Sequence, residues 1–210
     1  MLVWRMDWLA TFILFFAVVD PIGTIPIFIV LTAGMDEKTK SVVALKASLI
    51  ATGVLVFFIF FGDAILRAID VPIAAFQIAG GAVLFLFALQ MVFGESKPSA
   101  EMQLGKDDAI SRAIFPLAVP YLAGPGAMLV AVLQAEKTQH GLTEMSASAL
   151  IVCAVMVVAY VGMIFSTKIF SWIGESGSHL VSRVMGLILA SLAVSSVLQG
   201  IKEYFSLCVD

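Results

Sequence analysis

The chain reads as an all-α integral membrane protein: six transmembrane helices, built as two inverted three-helix repeats in which helices 1 and 4 are broken. Three observations predict this. Over 210 residues the sequence is 61% hydrophobic and 13% charged, with a mean hydropathy of +1.06, far more apolar surface than a soluble core of this size needs. The apolar stretches are roughly 20 residues or longer, the length that crosses a hydrocarbon layer of about 30 Å as a helix. Two of them are interrupted at their centres, by residues 20–26 and 120–126, at corresponding places in the two halves of the chain. Five of the seven prolines (Pro21, Pro26, Pro116, Pro120 and Pro125) fall in these two stretches. Backbone groups freed inside a bilayer are tolerated only where protein or a water-filled cavity satisfies them, so paired breaks point to a transport site.

The predicted spans cover 8–32, 45–62, 71–93, 113–134, 146–169 and 183–205. The first lacks a small-residue cleavage site and carries the Asp20-Pro21 break, which predicts a retained helix rather than a signal peptide. The second ends in Asp63 and Arg67, four residues apart, the spacing of a surface ion pair. The polar stretch 94–112 is a linker, dividing a first repeat (1–93) from a second (113–210). Arg5, Arg67, Lys137 and Lys202 lie on one side of this arrangement; Lys38, Lys40, Lys46, Lys97, Lys106, Arg112, Lys168 and Arg183 lie on the other. The excess of positive charge belongs in the cytoplasm, which predicts both termini outside. A net charge of -3 gives no reason to expect a nucleic acid partner. Cys153 in mid-span and Cys208 at the C-terminus read as plain apolar or surface residues, not a disulfide or metal framework.

The third and sixth spans share a pattern. Gln77-Ile78-Ala79-Gly80 matches Arg183-Val184-Met185-Gly186 in order (a polar residue, a β-branched residue, another residue, then glycine), and both continue in an aliphatic run. The offset of 106 is close to the 104 that separates Pro21 from Pro125. Since three spans is an odd number, a second copy enters the membrane from the opposite side. Ala75 with Ala79, Gly186 with Ala190, Ser191 with Ser195, and Ser48 with Thr52 are expected packing seams, where small residues let backbones approach.

The breaks carry the chemistry. Pro21 and Pro26 cannot donate to the carbonyls of Ala17 and Ile22, nor Pro120 and Pro125 to those of Pro116 and Tyr121. A helix restarting in mid-membrane presents free N–H groups and the positive end of its dipole to an anion. Freed carbonyls and Asp20 attract an ammonium group or a small cation, so a zwitterion fits both demands. Gly23, Gly124 and Gly126 remove side chains where a ligand approaches backbone. Asp20 with Pro21 is equally an N-cap followed by proline at the first helical position, so capping alone and capping with ligand binding both stand. Gln77, Gln90, Gln134 and Gln199 are the other polar side chains at depth, read as interhelical hydrogen bonders, with Gln77 included in the candidate site. The expected substrate-binding set is Asp20, Pro21, Gly23, Thr24, Pro26, Gln77, Gly124, Pro125 and Gly126. His140 and His179 fall in opposite loops, and no catalytic or metal-ligand spacing occurs, so neither an enzyme nor a cofactor is expected.

Residues 20–28, 76–81, 123–127 and 183–189, in that order, resemble signature stretches of the MarC family, which includes small neutral amino acid transporters. The resemblance covers nearly the whole chain. It implies a six-span inner-membrane protein, some members of the family being linked to glycine and alanine transport; members commonly have Asn or Asp at the position of Asp20 and Asn at that of Thr24. The partners so implied are a small neutral amino acid, a coupling proton or sodium ion, and membrane lipid, with a homo-oligomer left open. A passive pore or ion channel, and a noncatalytic membrane subunit, are the competing readings.

Overall fold

The computed structural model describes residues 8–93, 109–137 and 141–207. Helices α1 (Trp8–Val19) and α2 (Pro21–Leu31) are followed by α3 (Glu37–Ala68) and α4 (Ile73–Phe93). After the linker come α5 (Ala109–Pro116), a π segment (Leu117–Leu122), α6 (Pro125–Lys137), α7 (Leu142–Ile164) and α8 (Ser166–Leu207). Most of the predicted linker, 94–108, lies outside the described residues, as do His140 and Cys208. By length and composition five helices can cross a membrane, and six when the bent pair Ile114–Leu122 and Pro125–Ala135 is one span.

Large apolar side chains cover the outside of the bundle, among them Leu49, Leu86, Leu150 and Leu198, each more than 60% exposed. A water-soluble monomer does not present such a surface, whereas hydrocarbon requires it. The interior is a continuous cluster that includes Phe15, Phe28, Leu55, Ile59, Leu117, Leu122, Met163 and Leu189. Helix α3 packs against α5, the π segment, α6 and α7; α2 packs against the π segment, α7 and α8; and α1 packs against α6 and α7.

The most extensive pairing is α4 with α8, and glycine permits it. A Cβ placed on Gly81 would stand 3.1 Å from the Ala193 carbonyl oxygen, and one on Gly186 would stand 3.0 Å from that of Ala88. Such approach is how helices associate where lipid removes any hydrophobic drive between them. The seam therefore includes Gly81, Ala88 and Ala193, which the small-residue pattern did not single out. Ala79, Ser191 and Ser195 are instead exposed, and Ser191 folds its hydroxyl back onto the Leu187 carbonyl.

Three further expectations are corrected. Helix α3 begins eight residues before the predicted apolar edge at 45, because Asp36 caps it and Lys40 pairs with Glu37 at 2.9 Å. The Thr39 hydroxyl and amide donate to Asp36, and these bonds hold its carboxyl below the ordinary carboxylate range. Second, the fifth span stops at Ile164 rather than 169; helix resumes at Ser166 and runs through the predicted loop, turning at Gly174, whose φ of 70° suits glycine. Third, Asp63 and Arg67 do form an ion pair, Nε to Oδ1 at 2.9 Å, but the carboxylate is buried while the guanidinium is exposed. It is not a pair lying wholly on the surface.

Candidate functional site

At Asp20 the chain leaves helical geometry for the left-handed region, with φ 47° and ψ 66°. The residue before a proline is pushed out of the right-handed helical well, and Asp is among the few residues that tolerate the left-handed one. Helix α1 completes its ladder there, since the Asp20 N–H donates to the Phe16 carbonyl at 3.1 Å. Helix α2 then starts on Pro21. Asp20 serves that start twice. Its Oδ1 accepts from the Gly23 N–H at 3.0 Å, and its carbonyl accepts from both the N–H and the hydroxyl of Thr24, at 3.1 and 3.0 Å. Asp20, Pro21, Gly23 and Thr24 are all buried, and Pro26 lies one turn on inside α2. The predicted cap is thus formed, through Oδ1 of the carboxylate.

The second interruption is built differently. The Ala123 N–H donates to the Ala118 carbonyl at 2.8 Å, a π-type bond, and Val119 departs from helical geometry at φ -138° and ψ 119° ahead of a cis peptide bond to Pro120. Helix α6 starts on Pro125, and the two halves meet at 53°. Gly124 occupies the place that Asp20 holds in the first break, and glycine has no side chain with which to cap.

The glycines are closed in by protein. A Cβ on Gly124 would lie 2.7 Å from the Pro120 carbonyl oxygen, one on Gly126 would lie 2.5 Å from Leu84 Cδ1, and one on Gly23 would run into the Asp20 carboxylate. Close approach of the chain to itself is sufficient reason for glycine at all three positions. Gly162 on α7, which the sequence did not single out, faces Ile25 and lies 4.0 Å by the same measure from the Pro21 carbonyl oxygen.

The two breaks are neighbours, since α2 packs against the π segment. Gln77 is buried on the inward face of α4 and makes no side-chain hydrogen bond among the described residues. It stands two turns, roughly 10 Å, before the Leu84 that covers Gly126. Gln134 donates through Nε2 to Thr11 Oγ1 at 3.0 Å, joining α6 to α1 in the interior, while Gln90 and Gln199 are exposed. Thr11 is one polar residue that sequence reasoning missed; a lone hydroxyl in an apolar helix was the available signal. Among the described residues no group of three or more His, Cys, Asp or Glu side chains could hold a metal ion.

An all-helical bundle with five or six helices long and apolar enough to cross a membrane, and an apolar exterior, is a multi-span integral membrane protein. The family model described as MarC family integral membrane protein matches residues 6–205, and the chain belongs to that family. It is 30% identical to a UPF0056 membrane protein of Buchnera aphidicola, over 94% of this chain and 97% of that one. It is 32% identical to a UPF0056 membrane protein of Methanocaldococcus jannaschii, over 89% and 92%, and 31% identical to the UPF0056 membrane protein YvbG of Bacillus subtilis, over 92% and 93%. These relatives are named only as membrane proteins. No solved structure matches the chain.

Proposed function

We propose that this protein is a secondary transporter or exporter of small neutral amino acids, of the glycine or alanine type, with the substrate held near the bilayer midplane between the broken first and fourth spans. The observation that carries this reading is the pair of half-helices, α2 and α6, that start inside their spans on Pro21 and Pro125, with α2 packed against the π segment that leads into α6. The start of α2 already has a carboxylate on it, whereas the start of α6 has none. A carboxylate substrate group is therefore directed to α6, where N–H groups and the helix dipole are uncompensated, and its ammonium group to Asp20. The coupling ion is a proton or sodium.

An inverted repeat is part of this proposal, and a reciprocal helix seam supports it. Gly81 meets Ala193 as Gly186 meets Ala88, the reciprocal contact that a two-fold axis between α4 and α8 generates. The register is one residue away from the sequence match: Gly81, not Gly80, is the counterpart of Gly186. The pairing of α3 with α6 is likewise echoed by that of α2 with α7, and α4 with α6 by α2 with α8. Repeats 1–93 and 113–210, a cytoplasmic linker, both termini outside and an inner-membrane location complete the proposal.

Counterflow of radiolabelled alanine or glycine into proteoliposomes tests it. Saturable exchange supports the transporter. Conductance without saturation replaces it with a pore, and neither activity in pure protein replaces it with a noncatalytic subunit.

A further inference from the structure

Gln77 sits where three helices meet. One turn further along α4, Gly80 faces α6 and Gly81 faces α8, since a Cβ on Gly80 would lie 3.0 Å from Leu129 Cδ1 and one on Gly81 would lie 2.8 Å from Val197 Cγ2. Residues three and four apart share a helix face, so Gln77 projects between α6 and α8. The residue is 3% exposed, and its amide makes no hydrogen bond among the described residues. A buried amide without a protein partner lowers stability where leucine would raise it, so its presence needs a reason outside packing. On α8, Ser196 is four residues before the Gly200 that meets α4 at the Ala74 carbonyl oxygen and at Ile78, either side of Gln77. It is half-buried and likewise makes no side-chain hydrogen bond among the described residues.

The pair of Thr11 and Gln134 stands at the same level of the bundle. Helices α4 and α6 run antiparallel, since Leu84 covers Gly126 and Leu129 reaches Gly80. Gln134 lies five residues beyond Leu129, about 7.5 Å, and Gln77 lies three residues from Gly80 in the same direction, about 4.5 Å. Each side chain leans toward the N-terminus of its own helix, Gln134 back toward Leu129 and Gln77 onward, so the two amides converge on one layer. The amide of Gln134 is already committed to Thr11. That of Gln77 is not. We propose that Gln77 is a ligand-binding residue, forming with Ser196, beside the Thr11 and Gln134 pair, a polar subsite for the same small neutral amino acid. An amide donates to a carboxylate and accepts from an ammonium group, and a hydroxyl does both, so an uncharged layer of this kind suits a zwitterion better than a lone ion. Because Gln77 leans away from Leu84, a ligand whose charged groups are separated by a single carbon does not reach this layer and Gly126 together. The proposal deepens the transport reading and rests on it, since it names a second group of residues that meets the cargo.

The test measures equilibrium binding of radiolabelled alanine and glycine to the purified full-length protein beside its thermal unfolding. Gln77→Leu should weaken binding about fivefold, the factor expected for losing one hydrogen bond, and should raise the unfolding temperature, because the amide it removes has no protein partner. Gln77→Met keeps an unbranched side chain and should act alike, which covers poor folding of the leucine variant. Ser196→Ala should weaken binding in the same sense. Unchanged affinity in both Gln77 variants, or in Ser196→Ala, overturns the subsite. Weaker binding together with a lower unfolding temperature in both Gln77 variants makes the residue a structural one and overturns it as well. A parent protein that neither binds nor exchanges these amino acids overturns the transport reading and this proposal with it, whereas a parent that exchanges them beside Gln77 variants of unchanged affinity overturns this proposal alone.

Discussion

Asp20 concentrates two roles in one side chain. It caps α2 through Oδ1, and it is a buried carboxylate within a membrane span. Asn caps nearly as well as Asp but has no formal charge, so Asp20→Asn should retain folding stability and lose affinity for the ammonium group or coupling cation, along with part of the pH dependence of transport. Asp20→Ala should also lose the cap, at about 1 kcal/mol. Thermal unfolding in detergent beside transport kinetics separates the two. An Asn variant with unchanged affinity and pH profile leaves capping as the whole function. Gly126 permits a sharper test, because Leu84 occupies the space a side chain would need. Gly126→Val should disrupt transport. If packing is the reason, Leu84→Ala should rescue it in the double variant; continued loss with normal folding places cargo at the backbone. The cap at Asp20 was legible in the sequence because it depends only on the short stretch from Asp20 to Gly23. The atoms around Gly126 were not, since Leu84 reaches it from another helix.

Among the elements, the α4 and α8 pair has the narrowest tolerance. With the Ala88 carbonyl oxygen 3.0 Å from any Cβ at position 186, Gly186→Val should destabilise the protein by about 1–3 kcal/mol, the usual range for overpacking, and Gly81→Val should behave alike from the other side. Parent-like stability of both variants would dissolve the reciprocal seam. Sequence matching aligned Gly186 with Gly80 because two adjacent glycines are indistinguishable as text; only the helical face turned to α8 selects Gly81. The length of α3 was hidden for a related reason, since hydropathy marks where lipid begins and the Asp36 cap marks where helix begins. That cap has a pH signature. The folded carboxyl is held lower than in the unfolded chain, so its contribution is complete at neutral pH and is lost only in acid, as pH falls through the lowered value. Hydrogen exchange of the Lys38 to Ser41 amides should quicken in Asp36→Ala at neutral pH and in the parent protein only in acid. Equal protection in both at neutral pH would remove the cap from the account of α3.

For the whole molecule, the helical class, the multi-span character and the family were all legible, because composition and four ordered motifs carry them and neither needs tertiary contacts. How the helices face one another was not legible, and the orientation in the membrane follows from charge alone. Lys38, Lys40 and Lys46 border the entry of α3, and Lys168 and Arg183 lie in the segment between the last two spans, so these basic residues gather at one end of an otherwise apolar bundle. Arg67 and Lys202 stand at the other end. Moving basic residues across a membrane is unfavourable in the direction of insertion, so the richer end is the one expected in the cytoplasm. Reporter fusions after Leu207 and within the linker 94–108 should therefore give opposite signals: the first active only outside the cytoplasm, the second only within it. Moving charge should also move topology. Replacing Lys38, Lys40 and Lys46 with Gln takes the first loop from three basic residues to none, and a mixed population of orientations is then expected in both fusions. A cytoplasmic C-terminus in the parent protein would overturn this orientation. Linker and C-terminal signals on the same side would mean an even number of spans between them and would leave the second repeat uninverted.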